Sequence, residues 1–417
     1  MTLRWTGAAT LLIALAGRVV AQQGPVPSGH VSDSGTGLSI GILTVGPGEE
    51  VWERWGHNTI VVNDRDRRAS ASYNWGLFDF RQEDFILRFV RGRMWYSMGS
   101  HRTDRDLALY VYRDRSIGMQ DLALTPGQAT ALRDFLVWND TEEHRHYHYN
   151  YYLDNCSTRV RDAIDRALDG QFRQQFDTMP SGHTWRWETR RILGWDLPLY
   201  VGINLALGHP VDAGMTAWQA MFLPVRLEEY LRMVRVRDAD GGALPLVSAE
   251  ETLNQSARFT DPAAPQRTWL PLVLAGLLGG GMFARLGNAG RTSRKARRWF
   301  SVLASVWSFV AGSLGLVLLG LWFLTDHWAA TQNENVLLLT PLSLALVPLV
   351  PLALRGRAGA GRIAVKVASV VTALGAVALA IKILPWFHQY NLELIALILP
   401  VHAGVLWGLA RALAPAR

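Results

Sequence analysis

The 417-residue chain has a single cysteine, Cys156. That excludes an internal disulfide, a multi-cysteine zinc site and a thioredoxin-type CxxC pair. There is no Walker loop, no GxGxxG following a strand, no GxSxG and no HExxH. Nucleotide-binding, serine-hydrolase and zincin readings therefore have no footing. His144, His146 and His148 alternate along one expected strand, but no further ligand cluster at fixed spacing joins them. A solvated or aromatic-packed edge accounts for them, and neither a metal nor a cofactor is expected.

Apolar residues are unevenly spread. Up to about Gln266 the chain reads as globular, with charges and tryptophans interspersed. Beyond it lie five apolar runs, about 268–285, 300–325, 335–354, 363–384 and 391–412, each near or above the ~18–20 residues that cross a bilayer. Lysine and arginine are missing from the second and fourth connecting loops. The first carries Arg285, Arg291, Arg294, Lys295, Arg297 and Arg298, and the third Arg355, Arg357 and Arg362. Basic loops remain cytoplasmic, so the second and fourth face outward, as do residues 22–266. The net charge of +7 is largely this orientation signal and does not point to nucleic acid. At the N-terminus, Arg4, an apolar stretch and VVAQQ read as a signal peptide cut after Ala21, or as an uncleaved anchor because Arg18 interrupts the pattern.

Four segments are expected: signal peptide or anchor (1–21), an extracytoplasmic α+β domain (22–170), a helical membrane-proximal extension (171–266) and an all-α bundle of five spans (267–417). In the second, a linker (23–36) precedes strands at 38–46, 57–62 and 69–76, the last two joined by NDRDRR as a hairpin loop. A short helix at 82–91 and strand candidates RMWYSMGSH, DLALYVYRD and SIGMQDLALT follow. Thr125-Pro126-Gly127-Gln128 opens a helix through about Trp138. In the extension, Trp185, Trp187, Trp195 and Trp218 suit either a water–lipid boundary or a core.

The rest is organised around HRHYHYNYYLDNCSTRVRDAIDRALDG (144–170). Its first part alternates like a strand. Val160, Ile164 and Leu168 then recur at helical spacing, with Asp154 or Asn155 as N-cap and Gly170 as stop. Cys156 thus sits at a helix N-terminus, where unpaired N–H groups and the positive end of the dipole favour a thiolate. His57, at a strand start after Gly56, is the best base. Asn74 or Tyr73 on the next strand would orient it, and the backbone N–H groups at Cys156 and Ser157, next to Asn155, would meet an oxyanion.

The order histidine, polar residue, cysteine reverses that of ordinary papain-like enzymes. It resembles the circularly permuted papain-like acyltransferases and hydrolases, among them the lecithin–retinol acyltransferase group. More closely, the chain resembles bacterial membrane proteins with an Lnb N-terminal periplasmic domain. The matching pieces are WGHNTIVV (55–62), YNWGLFDF (73–80), YYLDNCSTRV (151–160), MFLP (221–224) and TDHWAATQNENVLLLTPL (325–342). The resemblance implies an inner-membrane enzyme that N-acylates the N-terminal cysteine of bacterial lipoproteins. A phospholipid or diacylglyceryl donor would pass its chain through a thioester. His57 and Cys156 carry over directly; Asn74 is an extrapolation.

Other readings stay open. A thiol phospholipase or peptidoglycan amidase would use the same residues, and a non-enzymatic scaffold would use none. Arg186, Arg190 and Arg191 suit either a lipid phosphate or a solvated helix face. Asp326 and His327, in an outward loop, either line a substrate entrance or cap a span.

Overall fold

The computed structural model describes residues 37–237 and 242–415. The expected signal peptide and the 23–36 linker lie outside them, as do most of residues 238–242, where Asp-Ala-Asp-Gly-Gly is expected to form a hairpin turn before the first span. Strands β1 (Leu38–Val45), β2 (His57–Asp64) and β3 (Ala69–Leu77) form an antiparallel meander. The hairpin between β2 and β3 is closed by Asp64, whose carboxylate accepts the Arg67 N–H at 3.0 Å. Helix α1 (Phe85–Arg91) and strand β4 (Met94–Arg102) follow.

The stretch DLALYVYRD is not a strand. Helix α2 (Thr103–Tyr112) carries Asp104 and Asp106 in its first turn, where the dipole favours negative charge. Its run of apolar residues mimics alternation because Leu109, Val111 and Tyr112 are left exposed while Leu107 and Tyr110 pack inward.

Strand β5 (Ile117–Leu122) and helix α3 (Pro126–Asn139) come next; α3 starts with the expected Thr125–Gln128 capping box. Strand β6 is short, His146–Tyr149, and His144 lies outside it. A turn built on the Asn150 side chain, which accepts the Tyr152 and Leu153 N–H groups at 3.0 Å, leads to α4 (Cys156–Ala167). Val160 and Ile164 of this helix, with Leu168 at its C-cap, are fully buried against the sheet, as their spacing requires.

Residues 171–254 hold helices α5 (Gln171–Phe176), α6 (Trp185–Leu193), α7 (Leu197–Ala206), α8 (Ala217–Ala220) and α9 (Pro224–Leu231). They also hold five strands: β7 (Pro180–Thr184), β8 (Gly214–Thr216), β9 (Arg235–Arg237), β10 (Ala243–Pro245) and β11 (Val247–Asn254). Strand β11 completes a seven-stranded antiparallel sheet in the order β11-β5-β1-β2-β3-β4-β6. Gly170 is therefore not a packing boundary, and the extension is not purely helical. Trp218, Met221, Leu227, Leu231 and Leu246 share one core with Ile60, Trp75 and Val160. Trp185 and Trp218 are core residues, Trp187 stacks on His183, and Trp195 is exposed beneath the Arg54 guanidinium.

Among the described residues, five helical segments are long and apolar enough to span a bilayer: Trp269–Ala289, Arg294–Phe323, Glu334–Leu354, Ala360–Ile383 and Leu392–Leu413. The first and last pack backbone to backbone, Gly280 facing Gly404, as small residues allow. The third is not one continuous helix. It climbs through 3-10 turns at Glu334–Leu337 and Pro341–Ala345 before helix Leu346–Leu354. Pro341 denies the ladder an N–H. The turns are held from the periplasmic side: Asn333 and Asn335 amides donate to the carbonyls of Leu205 and Ala206 at the end of α7. The TQNENV segment thus locks span to domain.

Candidate active site

Strand β2 places His57 at its first residue, and α4 places Cys156 at its own. Gly56, at φ +79°, turns the chain into β2 where a side chain would strike the Val45 carbonyl. Asn155 caps α4 by accepting the Thr158 N–H at 3.0 Å, and its amide donates to the carbonyls of Tyr151 and Phe222. The Ser157 hydroxyl donates to the Met221 carbonyl at 2.7 Å. The MFLP segment is therefore the brace under the helix that carries Cys156. The Ser157 side chain is structural; only its backbone N–H reaches the sulfur.

The Cys156 thiol and the His57 ring lie close enough for each to shift the titration of the other. Burial pushes the thiol up, but the charge of His57, its hydrogen bond and the N–H groups of Asn58 and Ser157 outweigh it, so the thiol is held below its ordinary value. Burial pulls His57 down, and the adjacent sulfur and the Asn74 contact more than offset this, so its pKa is raised. The two shifts run in the directions that favour a thiolate beside an imidazolium.

Asn74 fixes the orientation of the His57 ring. Its Oδ1 lies 2.9 Å from His57 Nε2. Asn74 Nδ2 donates to Asp106 Oδ2 at 3.0 Å and to the Ser72 carbonyl at 3.3 Å, so the oxygen must be the atom facing His57. Thr59 Oγ1 donates to the same oxygen. His57 Nε2 therefore carries a proton, leaving Nδ1 for the thiol. Tyr73 does not share this role. It is the neighbour of Asn74 on β3, so the pleat turns it to the opposite face, among the core residues under α4. Asp106 and Thr59 were not singled out by the sequence reading.

The histidines of 144–148 do not converge. His144 packs on Trp138, while His146 and His148 flank Trp95.

Two family models match: the Lnb N-terminal periplasmic domain over residues 32–192 and the Lnb transmembrane domain over residues 282–409. Together they span more than half of the chain. The chain belongs to the Lnb family. No curated protein and no solved structure matches it significantly. It is a multi-pass membrane protein with a periplasmic α+β domain. In this Lnb-family chain the geometry brings Cys156, His57 and Asn74 together within the matched N-terminal region.

The arginines of α6 are neither lipid contacts nor a solvated face. Arg186 is 1% exposed; it pairs with Asp212 at 2.8 Å and donates to the carbonyls of Leu207 and Gly208. Arg190 is engaged by Glu393 at 2.9 Å, Tyr200 at 2.8 Å and Tyr390 at 3.2 Å. Arg191 is held by Glu188 and Asp261. Most of their donors are engaged inside the protein, with Arg191 Nη2 buried and unpaired. Asp326 pairs with Arg93 at 2.6 Å, and its N–H donates to the Arg91 carbonyl. His327 Nε2 donates to the Phe89 carbonyl at 3.0 Å. Both hold α1 to the outer end of the second span.

Proposed function

We propose that this protein is a cysteine acyltransferase of the inner membrane that N-acylates bacterial lipoproteins. The supporting observation is the Cys156–His57–Asn74 constellation in a chain of the Lnb family. The thiolate attacks the ester carbonyl of a phospholipid, forming a C–S bond. The N–H groups that open α4 at Cys156 and Ser157 face the oxyanion. As the tetrahedral intermediate collapses, the C–O bond breaks and the His57 imidazolium protonates the departing alcohol. The free α-amine of a lipoprotein's N-terminal cysteine then attacks the thioester. His57 takes the amine proton and the thiolate leaves. No cofactor is consumed, because a thioester is reactive enough to acylate an amine.

Five spans keep the site at the membrane, where donor and acceptor both lie. The test is mass spectrometry of a lipoprotein's N-terminal peptide from a strain depleted of its own N-acyltransferase. With the wild-type chain the peptide gains an amide-linked acyl chain; with Cys156→Ala it does not. If the wild type leaves the peptide unmodified while folded in the membrane, lipoproteins are not the acceptor. Release of free fatty acid would then identify a phospholipase.

A further inference from the structure

Helix α1 turns its apolar side chains outward. Ile86, Leu87, Phe89 and Val90 are exposed, Ile86 by 55% and Phe89 by 52%. Such a cluster is unfavourable in water. Its position explains it. The loop after the second span grips α1 through the Asp326 N–H to Arg91 carbonyl bond at 2.8 Å and the His327 contact to the Phe89 carbonyl. That span ends in Phe323 and Leu324, themselves exposed. The apolar surface of α1 is thus continuous with a surface that already faces lipid. Arg88 and Arg91 project from the same helix and, with Arg93 and His148, line an open cavity of about 520 Å³. Apolar and basic side chains together on one short helix suit the headgroup–acyl boundary.

Behind α1 runs a seam of aromatic rings. Phe85 touches Phe80 at 5.0 Å and Phe78 at 6.2 Å between centroids. Phe78 meets Tyr96 at 5.1 Å, and Tyr96 stacks on Tyr149 at 4.2 Å. Tyr149 borders Gly76, where a side chain would come within 3.7 Å of Cys156 Cβ. The seam therefore leads from the lipid-facing helix to the nucleophile, and the residue beside the sulfur has no side chain to block it.

We infer that α1 inserts into the outer leaflet as a portal and that the aromatic seam receives one acyl chain of a glycerophospholipid and lays its ester at Cys156. Asp326 and His327 are positioning residues that hold the portal at the end of the second span. This rests on the acyl-enzyme reading above but not on the identity of the acceptor.

Two measurements on the full chain in phosphatidylglycerol–phosphatidylcholine vesicles test it, and neither uses a lipoprotein. In the first, Cys156 is alkylated by soluble iodoacetamide or by a bilayer-anchored hexadecyl maleimide. Placing Ile86→Asp and Phe89→Asp in the apolar zone should slow the anchored reagent by about tenfold or more. The iodoacetamide rate should stay as in wild type, which also shows that the site is folded. Equal slowing of both reagents, or of neither, overturns the portal. The second uses the chain's single cysteine: in a Cys156→Ser background, Phe89→Cys is labelled with a fluorophore. Quenching by bromines placed on lipid acyl chains is expected; no quenching places α1 in water and overturns the proposal. If both measurements succeed but lipoprotein peptides stay unmodified, the portal stands and the acceptor assignment falls.

Discussion

Asn74 Oδ1 sits 2.9 Å from His57 Nε2, and the amide that presents it is held from behind by Asp106. Neither Asn74 nor Asp106 bonds to the thiol, so in the proposed reaction both would act through the orientation of the imidazole. Asn74→Ala should lower acyl transfer by about 10–100-fold, the usual cost of losing such a partner. Asp106→Ala should give a smaller loss in the same direction. The Asn74 contact is among those that raise His57. In Asn74→Ala the alkaline limb of the pH–rate profile should therefore move to lower pH. A residue that only supported folding would reduce the yield of protein and leave the limb in place.

The pH dependence follows from the two shifts. The Cys156 thiolate is protonated, and the rate lost, as pH falls through a pKa held below the ordinary 9.0. The His57 imidazolium is lost as pH rises through a pKa raised above 6.5. Activity should form a bell between these limbs. Alkylation by iodoacetamide isolates the first limb: at pH 7 Cys156 should react faster than a free thiol of pKa about 8.5, of which only a few per cent is thiolate. His57→Ala removes the compensating charge but leaves the burial. The alkylation midpoint should then rise above that of an ordinary thiol. An unchanged midpoint would mean that His57 does not activate the sulfur.

What the sequence made legible was local. The four-residue spacing of Val160, Ile164 and Leu168 and the cap at Asn155 define α4 without reference to anything distant. The strand start at His57 follows from its own neighbours in the same way. What stayed hidden depends on partners far along the chain. Strand β11 (VSAEETLN) is largely exposed and carries few apolar residues, and only its pairing with β5, more than a hundred residues earlier, makes it a strand. The choice between Tyr73 and Asn74 turns on which side of the pleat each faces, and one step in register reverses it. Asp106 was concealed because α2 leaves apolar residues exposed, blurring the helical period. Arg186 and Arg190 read as free for a lipid phosphate or for solvent because their counter-charges, Asp212 and Glu393, lie 26 and 203 residues away.

That last pairing is the joint between catalytic domain and membrane. Glu393, near the start of the fifth span, accepts from Arg190, from the Tyr200 hydroxyl and from Thr268 Oγ1 at 2.9 Å. It gathers α6, α7 and the entry to the first span on one carboxylate. Both charges are nearly buried, with side chains 10% and 8% exposed. Removing one partner of such a pair costs about 3–5 kcal/mol, because the other charge remains buried without compensation. Glu393→Ala should therefore lower the thermal midpoint of the detergent-solubilised protein and expose α7 to protease. Glu393→Gln keeps acceptor capacity for Tyr200 and Thr268 and should be milder. Glu393→Ala combined with Arg190→Met, which removes both charges, should recover much of the loss. If the double variant is no more stable than Glu393→Ala, the joint owes its strength to hydrogen bonds rather than to charge pairing.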